Sequence, residues 1–210
     1  MAVAVTDSMA QTTVSGVDAD RARLGDLEGF RREFYDCMTA RADALFELTD
    51  AVLCTEGPVT TLVGLSSAPE HRRGHGSLYD GLNRGRVDVD RFRGVVVGLA
   101  IPRCAGGRIV LGIDVSNWLR PDAATSPDRL FCHTYGRGRN QAQMIPGWPY
   151  SVVAALQQGR SSWCAVLDAG RVGPSDDETT VAATQLRAVV EKIIEVGHWV
   201  PGDPLISDRG

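Results

Sequence analysis

From Leu27 to Cys54 the apolar residues Phe30, Phe34, Met38, Leu45, Leu48 and Val52 recur at three- to four-residue steps, the spacing of one helical face. The pattern predicts a long amphipathic helix, broken near Asp43, that packs a helical subdomain. A Gly57-Pro58 break follows, and Val59 to Leu65 reads as either a short helical turn or a strand. Leu78 and Leu82, then Val87, Phe92, Val95, Val96 and Leu99, predict two short helices joined over Asn83 to Arg86, the second capped by Asp88.

Beyond Pro102 the period switches from helical to alternating. Ile109 to Val115 and Leu130 to Tyr135 read as strands, as do Ser151 to Leu156 and Ser162 to Leu167, with Gly159-Arg160 as a turn between the last two. Asp176, Asp177 and Glu178 then open a helix at Thr179. Its apolar face runs through Val181, Leu186, Val189, Val190, Ile193 and Ile194 to Val196, and Gly197 ends it. The expected architecture is therefore α/β: a helical region, then three or four mainly antiparallel strands and one helix. A compact domain of this kind adds a strand after that helix, and only Pro204 to Ser207 is left to form it. The chain reads as cut off at a strand's entrance. Three regions follow: a mobile Ala-, Thr-, Ser- and Asp-rich tail over residues 1–25, a helical region over 26–100, and the strand-rich region over 101–210.

With 210 residues, 43% hydrophobic and 23% charged, the chain can bury one proper core and a small accessory helical unit. The formal charge of -4 argues against wholesale polyanion binding, although local basic clusters act independently because salt screens each charge beyond about 8–10 Å. Lys192 is the only lysine among 22 basic residues, so arginine abundance reflects coding bias as readily as placement for a polyanion. Five scattered cysteines with no Cys-x-x-Cys pair fit a reduced, cytoplasmic chain without a zinc framework. The N-terminus lacks the basic and apolar regions of a signal peptide, and no run reaches the length of a membrane span.

Three stretches could carry chemistry. The first is Arg108 to Trp118, where Asp114 stands among Ile109, Val110, Leu111, Ile113 and Val115. An acid inside an apolar run is costly to bury. It serves either as a strand-end Asp capping its own backbone with help from Ser116 and Asn117, or as a metal-binding acid, since one or two strand carboxylates and substrate phosphate satisfy Mg²⁺. The second is His71-Arg72-Arg73-Gly74-His75, with Arg84, Arg86, Arg91 and Arg93 beyond it. Guanidinium groups and close-approaching glycine backbone suit a DNA phosphate chain, but Asp80, Asp88 and Asp90 offset the charge and suit a solvated surface equally. The third is Ser126 to Ser151, where a strand leads into Gly136-Arg137-Gly138-Arg139, a phosphate-facing hairpin tip or a flexible turn. It lacks the Gly-Lys-Ser/Thr ending of a P-loop. Cys132 and His133 are strand neighbours that point to opposite faces, which argues against a thiol hydrolase.

Taken together, HRRGHGSLYDGLNRGRVDVDR, VLGIDVSNWLRPDA and SPDRLFCHTYGRGRNQAQMIPGWPYS resemble the N-terminal half of a DDE-type insertion-sequence transposase from high-GC actinobacteria, in order over roughly residues 60–204. The resemblance implies a ribonuclease-H-like catalytic domain, incomplete here, in which Asp114 is the first acid of a triad binding Mg²⁺ or Mn²⁺. Asp208, followed by Gly210, is similar to the family's Asp-x-Gly at the second acid; no third acid follows. Implied phosphate contacts are His71, Arg72, Arg73, His75, Arg84, Arg86, Arg137 and Arg139. The implied partners are DNA, namely element ends and target, and further copies of this chain or a full-length transposase. The expected activity is metal-dependent strand cleavage and transfer, weak or lost in the isolated chain. The alternative is a non-catalytic DNA-binding or regulatory remnant.

Overall fold

The helix expected over Leu27 to Cys54 is interrupted by a strand. The structure, a computed structural model, describes residues 22–135, 143–159 and 163–203, with the backbone of 205–207. Helix α1 covers 22–36, so residues 22–25 belong to it rather than to a tail. Strand β1 (Met38–Ala40) follows, then α2 (Ala42–Cys54). The break lies ahead of Asp43, at Arg41, whose φ of 54° puts the backbone in the left-handed region. Buried Cys37 and Met38 draw this segment into a pairing with β2 (Arg86–Val87), Met38 opposite Val87.

The chain divides into two compact units, one up to Val95 and one from Val96. In the first, Val59 to Leu65 resolves into a helical turn, α3 (Leu62–Leu65), whose Thr61 hydroxyl accepts from Gly64 N–H at 3.1 Å. The two expected short helices are α4 (Gly76–Arg84) and α5 (Val89–Gly98), and Asp88 caps α5 by accepting from Arg91 N–H at 3.0 Å. Ala51, Leu65 and Leu78 form the buried centre, with Leu48, Leu62 and Ala68 against them. Phe34 stacks on Phe30 at 5.9 Å and meets Phe92 at 5.2 Å, which accounts for the periodic aromatics.

The second unit is built on a sheet of five strands: β3 (Val110–Leu119), β4 (Leu130–Thr134), β5 (Gln143–Leu156), β6 (Cys164–Arg171) and β7 (Leu205–Ser207). Strand β5 is its centre. One edge runs antiparallel to β3, from Gly147 opposite Leu119 to Ala155 opposite Leu111. The other edge pairs with β4 over Gln143 to Gly147 and with β6 over Tyr150 to Leu156. Pro149 falls at that change of partner, where a missing N–H costs little. The sequence showed only the second half of β5, because Pro146, Gly147 and Pro149 read as loop.

After β6, helix α6 (Glu178–Glu195) crosses the sheet. Asp177 caps it by accepting from Thr180 N–H at 2.8 Å, and Gly197 at φ 77° ends it. Its Leu186, Val189, Val190 and Ile193 close on Ile109, Leu111, Val153, Ala155 and Leu167. The chain then returns to β7, parallel to β3, with Val110 opposite Leu205 and Gly112 opposite Ser207. The short stretch left after the helix therefore forms the added strand, over Leu205–Ser207. This mixed α/β arrangement agrees with the expected ribonuclease-H-like class. No helix among the described residues is long and apolar enough to cross a membrane.

One polar pair fixes α6 on β5. The Ser151 hydroxyl donates to Gln185 Oε1 at 2.7 Å, and Gln185 Nε2 donates back to the Ser151 carbonyl at 3.1 Å, both residues being buried. Gln185→Leu strands a buried hydroxyl and is expected to cost about 1–2 kcal/mol in urea denaturation. Adding Ser151→Ala is expected to recover part of that loss, because neither partner is then left unpaired.

Candidate metal centre

Alternation along β3 sends Ile109, Leu111 and Ile113 toward α6 and Gly112, Asp114, Ser116 and Trp118 to the opposite face. Asp114 is exposed rather than buried in its apolar run, which removes the desolvation cost expected of it. Its Oδ1 accepts from Val115 N–H at 2.8 Å, a local bond that orients the carboxylate. Val152 lies opposite it on β5. On the other side of β3, β7 runs parallel and its Ser207 stands opposite Gly112, two positions before Asp114. Asp208 follows Ser207 in the chain and lies outside the described residues.

The other sheet acid, Asp168 on β6, is a buried residue opposite Val153, not on the row of Asp114. Among the described residues no three His, Cys, Asp or Glu side chains gather as a metal site. The carboxylate that holds this corner together is one the sequence did not single out. Asp203 has a fully buried side chain. It accepts from Ile109 N–H at 2.7 Å, from Arg103 Nη1 at 3.0 Å and from Val200 N–H at 3.2 Å. Burial alone would raise its pKa, yet these donors and the Arg103 charge hold it below the usual carboxylate value. Arg103 also donates to the carbonyls of Gly107 and His198. The bend entering β7 is thus tied to the start of β3. A Pro201-Gly202-Asp203 turn just ahead of a short apolar run was the available signal.

The basic block is placed differently from its reading as phosphate contacts. His71 has no exposed side-chain surface and sits 3.8 Å from Glu47, so it presents no group to a phosphate at the surface. Arg73 is paired with Asp43 at 2.6 Å and Glu47 at 3.2 Å, and Arg84 with Asp80 at 3.3 Å. Arg72, His75 and Arg86 are exposed. Arg91 and Arg93, also in the block, pair with Asp36 and Asp90. Arg73 and Arg91 are thus compensated by carboxylates from outside the block, and Arg84 and Arg93 by Asp80 and Asp90 within it. Arg137 and Arg139 lie outside the described residues. On β4, Cys132 is buried and His133 exposed, as neighbours on a strand should be.

Among known protein families, the one described as DDE superfamily endonuclease matches residues 33–207. No curated protein and no solved structure matches the chain.

Proposed function

Because the chain belongs to the DDE superfamily endonuclease family, we propose that it serves metal-dependent cleavage and transfer of DNA strands in transposition, with Asp114 as a metal-holding acid. The observation that carries this reading is the placement of Asp114: an exposed carboxylate on the face of β3 away from the core, beside the end of a parallel β7. A hard oxygen donor in that position fits Mg²⁺ or Mn²⁺, which need only one or two carboxylates with water and substrate phosphate completing the shell. Asp208, next in the chain after β7, is the second acid we assign. The ion would supply charge neutralisation and Lewis-acid polarisation of the phosphodiester. The protein's own part is to hold Asp114 in a fixed orientation through Val115 N–H and to bring the end of β7 beside it through Asp203.

Titration with Mn²⁺, read by the loss of the free-ion electron paramagnetic resonance signal, tests the assignment. Asp114→Asn is expected to weaken binding at least tenfold while leaving the far-ultraviolet circular dichroism unchanged, since the side chain is exposed. Equal Mn²⁺ affinity in the two proteins would remove Asp114 from the site.

A further inference from the structure

The aromatic side chains of β3, β4 and β5 lie on the wrong side of the sheet for a core. Residues directly opposite each other in an antiparallel pair share a face, so the registers can be read across. Trp118 is opposite Trp148, Ser116 opposite Tyr150 and Asp114 opposite Val152. Further along, Phe131 is opposite Pro146 and His133 opposite Met144. All these positions share the face of Asp114. The rings of Trp148 and Tyr150 each lie 6.2 Å from that of Trp118, and Tyr135 packs edge-on to His133 at 4.5 Å. Yet Trp118 is 55% exposed, Phe131 69% and Tyr135 89%, while Cys132, on the reverse face of the same ribbon, is buried. An exposed apolar face of this kind marks a binding surface.

We propose that this face is a stacking platform for the bases of an unpaired DNA strand leading to Asp114. The proposal rests on the reading above for the identity of the polymer as DNA. Its character favours bases: the exposed groups are rings, and a ring stacks on any base face regardless of sequence, worth a large factor in affinity at each position. The row of Trp118, Ser116 and Asp114 is continuous, with Trp118 about 13 Å from Asp114 along the strand, so a strand lying on the rings passes directly to the carboxylate. Arg171, opposite Tyr150 at the rim of this face, is paired with Asp128 at 3.3 Å, so the rings and the row to Asp114 carry the proposal.

The test uses the full chain with chelator present, so that it is independent of the metal centre. Quenching of tryptophan fluorescence is followed on adding oligothymidylate, an abasic oligomer of equal length, and the corresponding duplex. Oligothymidylate is expected to bind most tightly. The double variant Trp118→Ala/Phe131→Ala is expected to lose at least tenfold in that affinity while binding the abasic oligomer as the wild type does. Trp118→Phe is expected to restore part of it, and Tyr135→Ala gives a second, highly exposed probe should the double variant not fold. Equal binding of the abasic oligomer, a preference for duplex, or unchanged affinity in the variants would overturn the proposal. So would sedimentation showing a dimer that these substitutions dissolve without any oligothymidylate binding, which would assign the face to a second copy of the chain. Failure of the Mn²⁺ titration with stacking intact would instead remove the metal assignment alone.

Discussion

Asp203→Ala is expected to destabilise the unit beyond Val96 by about 2–3 kcal/mol, because its buried carboxylate is the acceptor for two backbone N–H groups and for an Arg103 guanidinium that is itself 31% exposed. The substitution leaves the Arg103 guanidinium, Ile109 N–H and Val200 N–H without the acceptor they share. Urea denaturation followed by circular dichroism measures the loss; a change below about 1 kcal/mol would mean that burying the carboxylate cancels its bonds. The pH dependence has a definite sign. The folded-state pKa of Asp203 is lowered, so its contribution is complete above the unfolded value of about 3.9 and is lost as pH falls through the folded value. Acid titration should therefore show a steeper fall below about pH 4 in the wild type than in Asp203→Ala. Local protection gives a second readout: hydrogen exchange at 205–207 should accelerate before that of α6, because Asp203 ties the bend before β7 to β3.

Gly147→Ala is expected to cost about 2–3 kcal/mol, from overpacking that neither neighbour can relieve. A Cβ there would lie 2.4 Å from the Trp118 carbonyl oxygen and 2.9 Å from Leu119 Cα. Both are backbone atoms, so rotamer changes give no escape and β3 must move away from β5. The Trp118 and Trp148 rings flank this contact, 6.2 Å apart, and near-ultraviolet circular dichroism should change with stability. An unchanged melting curve with an unchanged aromatic signal would show that the strands are less closely apposed than described.

The helical periods of α4, α5 and α6 were legible because each is announced locally by a 3.6-residue apolar face, and the starts of α5 and α6 by Asp88 and Asp177 as well. The strand core around Asp114 was legible for the same reason. What the sequence concealed depends on partners distant in the chain. Met38 to Ala40 continues a helical apolar period, and only the pairing with Arg86 and Val87 makes it a strand. The first half of β5 carries two prolines and reads as loop; Pro149 is tolerated because the strand exchanges one neighbour for another between Gly147 and Tyr150, while Pro146 sits opposite Phe131 just before the pairing with β3 begins. For the site, Asp114 was identified by its setting, but its exposure was not, since β3 is longer than its apolar run and presents one face outward. The burial of His71 was equally hidden: a histidine between charged residues looks solvated, and only the packing of the first unit places it inside.

The parallel pairing of β7 with β3 also has a kinetic meaning. The bond from Ile109 to Asp203 joins residues 94 positions apart, with two hairpin pairings and the whole of α6 between them. Pairings of such sequence separation pay the largest chain-closure entropy and form late. On a chain emerging from the ribosome, antiparallel β3, β5 and β6 can pair first, while the corner that holds Asp114 beside β7 must wait for β7 to emerge. The Asp114 corner of the sheet therefore comes into being only after the rest of its unit has folded.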